Sequence, residues 1–338
     1  MKAMVIREFG EPRVMRLEEV ATPAPGPGEV LLEVHAVSVN RTLDLTVRSG
    51  KYPLRIQLPH VLGVAPSGVI AAIGRGVAER KVGDRVAVWP IIKAPTATQP
   101  LVVLGVHLWG GYAEYVKVPA ERTFILPDQL DFETATVVAR HAPHALHLLR
   151  DAARLQSGEI VLVMGATGGL GSAGLQVAKQ FGARVIAGAG ADDRVQAAMR
   201  LGADFGVNYR SRDLADEVLA VTAGRGVDVV FENIGDPDLF PKALASLAQS
   251  GRLVTSGSHG GGKATLDISR LYLRNITVVG TVGRLVPGDM EQALAAAASG
   301  RYKVLIDRSL PLAEAARAHE IVAERSGIGK ILLRPNPG

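Results

Sequence analysis

The 338-residue chain predicts an α/β protein of two domains, one β-rich and the other built on a doubly wound parallel sheet. Three observations carry this. Short β patterns alternate with turns over residues 1–120. Val- and Ile-rich strands alternate with helical stretches from about Asp131. Between one such strand and its helix lies a glycine-rich turn, in "VLVMGATGGLGSAGLQVAKQFGARVIAGAGADDR" (Val161 to Arg194).

In order, the β patterns of the first part are "AMVIREF", "EVLLEVHAVSVN", "SGVIAAIG", "DRVAVWP" and "GYAEYVKVP". "TPAPGPGEV" and "VGDRV" supply turn chemistry between them. The second part reads "EIVLVMG", "ARVIAGA", "FGVNY", "GVDVVFENIG", "GRLVTSG" and "NITVVG" as strands. Helices such as "LGSAGLQVAKQF", "DDRVQAAMRLG" and "LADEVLAVTAG" lie between them. Strand–helix alternation of this kind builds a parallel sheet covered on both faces. The last segment reads as helix then strand and is expected to return to the first domain.

Composition narrows the function classes. With 47% hydrophobic and 21% charged residues, the chain is of ordinary globular composition. No apolar run is as long as a membrane span. "MKAMVIREFGEP" has no apolar core of a secretory signal, so a cytoplasmic location is expected. The absence of cysteine excludes disulfides, thiolate catalysis and Cys-based zinc sites together. A net charge of +5, with no basic block, gives no support to nucleic-acid or membrane binding. A small-molecule substrate is the partner expected.

The glycine-rich turn is the most informative motif. Ala166, Thr167, Gly168, Gly169, Leu170 and Gly171 follow a buried strand and open a helix. Glycines there let the backbone approach a pyrophosphate, which then sits at the positive end of the helix. A dinucleotide fold that prefers NAD places Asp or Glu at the end of the next strand, on the ribose 2′-hydroxyl. Here that position reads Gly188-Ala189-Gly190, with Arg194, Tyr209 and Arg210 close in sequence. A missing carboxylate with basic and aromatic neighbours points to the 2′-phosphate of NADPH over NADH. Asp192 and Asp193 would reverse that preference if either faced the ribose; the other reading has them serve the N-terminus of their own helix. Asn233 and Ile234, Ser256 and Gly257, and Thr281, Val282 and Gly283 end later strands, where the nicotinamide half belongs.

At this point a family is visible. "NRTLDLTVRSGKYP", "PHVLGVAPSGVIAAIG", "VGDRVAV", "GGYAEYVKVPA", "GATGGLGSAGLQVAKQFGARVI", "LGADFGVNYR", "GVDVVFENIG" and "GRLVTSG" cover nearly the whole length. Together, and in this order, they resemble the medium-chain dehydrogenase/reductase superfamily, in its zinc-independent quinone oxidoreductase-like branch. The resemblance implies a GroES-like catalytic domain over residues 1–127, completed by 305–338, and a Rossmann NADP-binding domain over 128–304. It also implies an active site in the cleft between them and a homodimer joined through Rossmann sheet edges.

Departures from the zinc-binding relatives bear on the chemistry. Their Gly-His-Glu block reads Gly63-Val64-Ala65 here, and Arg41 stands where they carry a cysteine ligand, three before Asp44. No set of about three ligands can be assembled from these positions, so no zinc is expected. "RHAPHALHLLR" holds His141, His144 and His147, but on a helix the first and third spread around the axis. Pro143 suits a first turn, so a helix start is expected there. The resemblance puts this region near the nicotinamide, making His141 a candidate to line the substrate pocket.

Without a Lewis acid, hydride transfer relies on hydrogen bonds and positioning. Reduction of an activated C=C bond or a quinone suits that, because the developing enolate oxygen needs only donors. Tyr52, Asn40 and Arg41 are the candidate catalytic groups; the resemblance implies that Tyr52 and Asn40 touch substrate or nicotinamide ribose. Each has an alternative: Tyr52 as loop packing, Asn40 as a turn cap, Arg41 as an ion-pair partner of Asp44. Trp89, His107 and Trp109 flank a loop and are candidates for the substrate mouth or for packing. The functional expectation is an NADPH-dependent, metal-free enone, enal or quinone reductase. The alternatives are an atypical alcohol or carbonyl dehydrogenase and a cofactor-binding protein without turnover.

Overall fold

A computed structural model describes residues 1–324 and 327–336. The chain forms two compact units, Met1–Arg140 with Met290–Gly338, and His141–Asp289. The expected boundaries lay at 127/128 and 304/305; the units instead change over after Arg140 and after Asp289. At the first of these, residues beyond 127 are tied to the β-rich unit. Arg85 Nη1 donates to the Asp128 carbonyl at 2.9 Å, and Ser67 Oγ donates to the Phe132 carbonyl at 2.6 Å. Ser67 Oγ also lies 2.7 Å from Thr136 Oγ1, so a buried hydroxyl finds two partners on the same segment.

The first unit is organised around the strand Glu29–Ser38. Its apolar run "VLLEVHAV" is largely buried, and it is a central strand, paired with Val64–Ile73, Tyr115–Pro119 and the C-terminal strand Lys330–Arg334. The seven-stranded sheet also takes in Arg85–Val88, Thr123–Ile125 and Ile306–Pro311. The tail therefore completes the β-rich unit. Antiparallel register sets Leu332 opposite Ser38 and Leu333 opposite Val37. That register delivers Lys330 to the turn that follows Ser38.

The second unit is a six-stranded parallel sheet. In space its strands run Phe205–Asn208, Arg184–Ala189, Ile160–Met164, Val227–Glu232, Leu247–Thr255 and Thr277–Gly280. In chain order this is 3-2-1-4-5-6, the doubly wound arrangement, with its switch point where Ile160–Met164 pairs with Val227–Glu232. The central strands Ile160–Met164, Arg184–Ala189 and Val227–Glu232 are buried on both faces, which is why they read as apolar runs. Thr277–Gly280 is an edge, and Ile268, Tyr272 and Leu273 nearby are all exposed.

One expectation is corrected. Pro143 does not start a helix; it lies inside Phe132–Leu146. Proline removes one amide donor and crowds the preceding turn, and the helix continues past it as a wide π turn over His147–Ala152. Among the described residues, no helix is long and apolar enough to cross a membrane.

Candidate functional site

In the second unit, the ends of the parallel strands bring most of the cofactor candidates to one edge of the sheet. The first helical bond after the glycine turn runs from Ser172 N to the Gly168 carbonyl at 2.8 Å. The N–H groups of Gly169, Leu170 and Gly171 thus have no acceptor inside their helix, leaving three donors for an anion. Gly171 is needed for packing, because a Cβ there would overlap the carbonyl oxygen of Gly165. Ala166 is buried, and its N–H donates to the Gly188 carbonyl at 3.1 Å, locking the turn to the next strand. Thr167 is likewise buried.

At the end of Arg184–Ala189 no carboxylate is present. A Cβ on Gly190 would approach the Tyr209 ring and hydroxyl to 3.2 Å and Arg210 Nε to 3.3 Å. An acidic side chain there would stand tightly against an aromatic ring and a guanidinium. Asp192 and Asp193 occupy the first turn of the helix Asp192–Arg200, whose cap position is Ala191. Asp192 accepts from Asn208 Nδ2 at 2.8 Å, and Asp193 accepts from the Arg194 N–H at 2.7 Å, so both carboxylates have local partners.

The later loops are held by a residue that the sequence did not mark. Glu232, only 1% exposed, ends an apolar strand. Its Oε1 accepts from Ile234 N at 2.7 Å and Gly235 N at 2.8 Å, and its Oε2 from Thr255 Oγ1 at 2.8 Å. One buried carboxylate thus fixes both the Asn233–Ile234 turn and the strand leading to Ser256 and Gly257. Asn233 Nδ2 donates to the Met164 carbonyl at 2.6 Å, tying this turn across the switch point. A lone acid ending "VDVVFE" was the available signal.

The three histidines do not converge on one point. The ring of His141 lies against Gly169, where a Cβ would overlap it, so it supports the glycine turn. His144 Nε2 lies 2.8 Å from Ser256 Oγ, and a Cβ on Gly283 would come within 2.9 Å of its ring. His147 spans Asp151 at 3.0 Å and Thr281 Oγ1 at 3.2 Å. His144 and His147 brace the turns bearing Ser256, Thr281 and Gly283; Val282 beside them is exposed.

In the first unit, Asn40 is 5% exposed and committed at both ends of its amide. Its Nδ2 donates to the Ser38 carbonyl at 3.0 Å and to Asp44 Oδ2 at 3.1 Å, while its Oδ1 accepts from Lys330 Nζ at 2.9 Å. Asp44 is fully buried and accepts further from Asn40 N at 2.7 Å and Gly63 N at 3.2 Å. Burial pushes its carboxyl up to about 6 against those donors and the charge of Lys330. Lys330 also donates to the Val39 carbonyl at 2.7 Å; burial lowers its ammonium to about 7, with Asp44 opposing. Lys330 was not marked either, since "GKILL" reads as the start of an ordinary strand.

Arg41 opens the wide turn Arg41–Leu45 and is half-buried. Tyr52 is also half-buried; its ring packs edge-on against His107, with centroids 6.0 Å apart. The two tryptophans separate. Trp89 is 2% exposed and part of the interior, whereas Trp109 is 39% exposed with its indole N–H on the Pro59 carbonyl at 3.1 Å.

A catalytic zinc does not fit this donor set. Asp44 already holds Asn40 and Gly63 beside a lysine cation, and the Val64-Ala65 positions offer no ligand atoms. Among the described residues, no three His, Asp or Glu side chains come together as a metal group. A dinucleotide does fit the second unit, through the free amides of the glycine turn and the acid-free strand end beside Tyr209 and Arg210.

Comparison with known proteins finds matches over both units. Residues 26–128 match the model of the alcohol dehydrogenase GroES-like domain, and residues 169–299 that of the zinc-binding dehydrogenase family. A quinone oxidoreductase of Pongo abelii is 31% identical, the match covering 98% of this chain and 97% of that protein. An NAD-dependent alcohol dehydrogenase of Sulfolobus acidocaldarius is 32% identical, with 99% of each covered. A solved NAD-dependent alcohol dehydrogenase superposes with a TM-score of 0.91 at 33% identity, covering 99% of this chain and 100% of that one. The chain belongs to the medium-chain dehydrogenase/reductase superfamily and is a quinone oxidoreductase-like member of it.

Proposed function

We propose that this oxidoreductase is an NADPH-dependent enzyme that works without a metal and reduces an activated C=C bond or a quinone. The observation that carries the reading is the Asn40–Asp44–Lys330 network, whose groups satisfy one another and leave no ligand set for a Lewis acid. Bound nicotinamide supplies a hydride and accepts none of the substrate's developing charge. That charge falls on the substrate oxygen, where hydrogen-bond donors are sufficient for an enolate or hydroquinone anion. Tyr52 supplies such a donor in the first unit, and Arg41 lies in the same segment. Asn40, with its amide saturated, acts by holding the turn that carries Arg41.

Supporting the choice of NADPH are the missing carboxylate and the place of Tyr209 and Arg210 beside Gly190. Arg194→Ala and Arg210→Ala are expected to raise the KM for NADPH at least tenfold and leave that for NADH unchanged. Steady-state kinetics with both cofactors checks this; equal effects on the two would remove these arginines from the phosphate site. Asn233, Ile234, Ser256, Gly257, Thr281, Val282 and Gly283 would receive the nicotinamide half.

The similarity to alcohol dehydrogenases supports a second reading, oxidation of a secondary alcohol or its reverse. A panel of quinones, enals, enones and secondary alcohols, run with NADPH and NADH in EDTA, tests the proposal. NADPH consumption with quinones or enones supports it. Activity confined to alcohols, or lost on chelation, contradicts it. A cytoplasmic homodimer accompanies the reading. The exposed Ile268, Tyr272 and Leu273 beside the edge strand Thr277–Gly280 offer an apolar, pairable surface for a second copy.

A further inference from the structure

Around Tyr52 the first unit gathers polar groups that the rest of the fold leaves unused. The Tyr52 hydroxyl makes no hydrogen bond among the described residues. Beside it, His107 Nδ1 accepts from the Val103 N–H at 3.1 Å. An acceptor at Nδ1 places the proton of the neutral ring on Nε2, and burial keeps this ring neutral by lowering its pKa. That Nε2–H is buried and has no partner.

The third group is Arg140, which no motif marked. Its Nε is buried without a partner, and none of its nitrogens bonds another described residue. Part of the residue still meets solvent. Its guanidinium lies in electrostatic reach of Tyr52 and Asp44, while burial works against its charge. Asp44 makes no hydrogen bond or ion pair with it; its oxygens accept instead from Asn40 N, Asn40 Nδ2 and Gly63 N. A desolvated cation left without a counter-ion contact carries an uncompensated desolvation cost. Such a cost is retained where an anion arrives from outside the chain.

We propose that Tyr52, His107 and Arg140 form an oxyanion site, with Tyr52 and His107 donating to the substrate's carbonyl oxygen and Arg140 supplying the positive charge. The substrate class is then a conjugated ketone, aldehyde or quinone, and the inference rests on the reductive reading above. When hydride adds to the β carbon, the C=C pair becomes a double bond between the α and carbonyl carbons and the C=O pair moves to oxygen. The resulting enolate is held by the two donors and the cation. Protonation at the α carbon from water completes a net uptake of hydride plus proton, with NADPH oxidised and the enone reduced. Arg140 also favours an anion over a neutral ligand before any chemistry occurs.

The test uses the full-length protein with NADP⁺ for binding and NADPH for turnover. Its binding probe is 4-nitrophenol, a phenol whose anion mimics an enolate and absorbs visibly. Wild-type protein is expected to bind the phenolate at least tenfold more tightly than the phenol. Arg140→Met is expected to abolish that preference and lower kcat/KM for 2-cyclohexenone about 100-fold, the usual scale for one oxyanion donor. Arg140→Lys is expected to restore part of both. Tyr52→Phe, which keeps the ring contact with His107, is expected to lose at least tenfold in kcat/KM and provides a second arm if Arg140→Met does not fold. Unchanged phenolate preference and turnover in Arg140→Met, or in Tyr52→Phe should the former not fold, overturn the site and leave the reductase reading standing. Wild-type protein that selects phenolate through Arg140 but reduces no enone or quinone keeps the anion site and overturns the reductase reading.

Discussion

Lys330→Met is expected to destabilise the protein by about 3–5 kcal/mol at neutral pH, the cost of removing one partner of a buried charge pair. The lysine donates to both Val39 O and Asn40 Oδ1 and faces the carboxylate of Asp44. Methionine fills similar volume but leaves the Val39 carbonyl without a donor, Asn40 Oδ1 with only Ser38 Oγ at 3.5 Å, and Asp44 without its counter-charge. The pH dependence identifies the cause. Asp44 already titrates above its ordinary value, at about 6, and loss of the cation raises it further. The folded state then binds more protons than the unfolded state from about pH 4 up to that raised value. Stability therefore falls as pH rises across this window, and the penalty of Lys330→Met is larger at pH 7.5 than at pH 5. Urea unfolding at the two pH values measures it. A penalty independent of pH would show that packing, and not the Asp44 charge, is what the lysine supports.

Gly171→Ala is the second large effect. Its Cβ would overlap the Gly165 carbonyl, a backbone atom that cannot swing aside, at the point where strand and helix meet. Overpacking of this kind costs typically about 1–3 kcal/mol and moves backbone. Here the movement would displace the amides of Gly169 and Leu170 from the pyrophosphate. NADPH fluorescence titration is expected to show at least a 100-fold weaker Kd, with a fall in Tm. Wild-type affinity in this variant would mean that the pyrophosphate is held elsewhere.

These two positions differ in how visible they were. Gly171 stands in a local pattern, strand then turn then helix, and a glycine there has a meaning that its neighbours supply. The parallel sheet was legible for the same reason: strands buried on both faces read as apolar runs, and helices alternate between them. Lys330 lies 290 residues from Asn40 and reaches it only because the last strand pairs beside Glu29–Ser38. That pairing is tertiary, so the lysine looked like any strand start. Glu232 was hidden by the opposite effect: nothing local distinguishes a single acid at the end of an apolar strand from a solvated one. Pro143 misled because a proline rule for helix starts competes poorly with a helix already held along its earlier turns. Arg140 gave no sign at all, since its significance is the absence of a partner in three dimensions.

Asn40 and Trp89 show the limit of residue type as a guide. Both are polar-capable side chains near an expected site, yet one amide is saturated by its neighbours and one ring is enclosed by the interior. Tyr52, of the same class, keeps an uncommitted hydroxyl. The distinction is one of hydrogen-bond satisfaction, which only coordinates provide.

The central claim, reduction of a conjugated double bond by NADPH, is tested most directly by following the transferred hydrogen. Turnover of 2-cyclohexenone with NADPH deuterated at nicotinamide C4, in EDTA, is analysed by NMR of the product. The account predicts cyclohexanone carrying deuterium at the β carbon. Deuterium on the carbinol carbon of 2-cyclohexenol would contradict it and identify a carbonyl-reducing dehydrogenase.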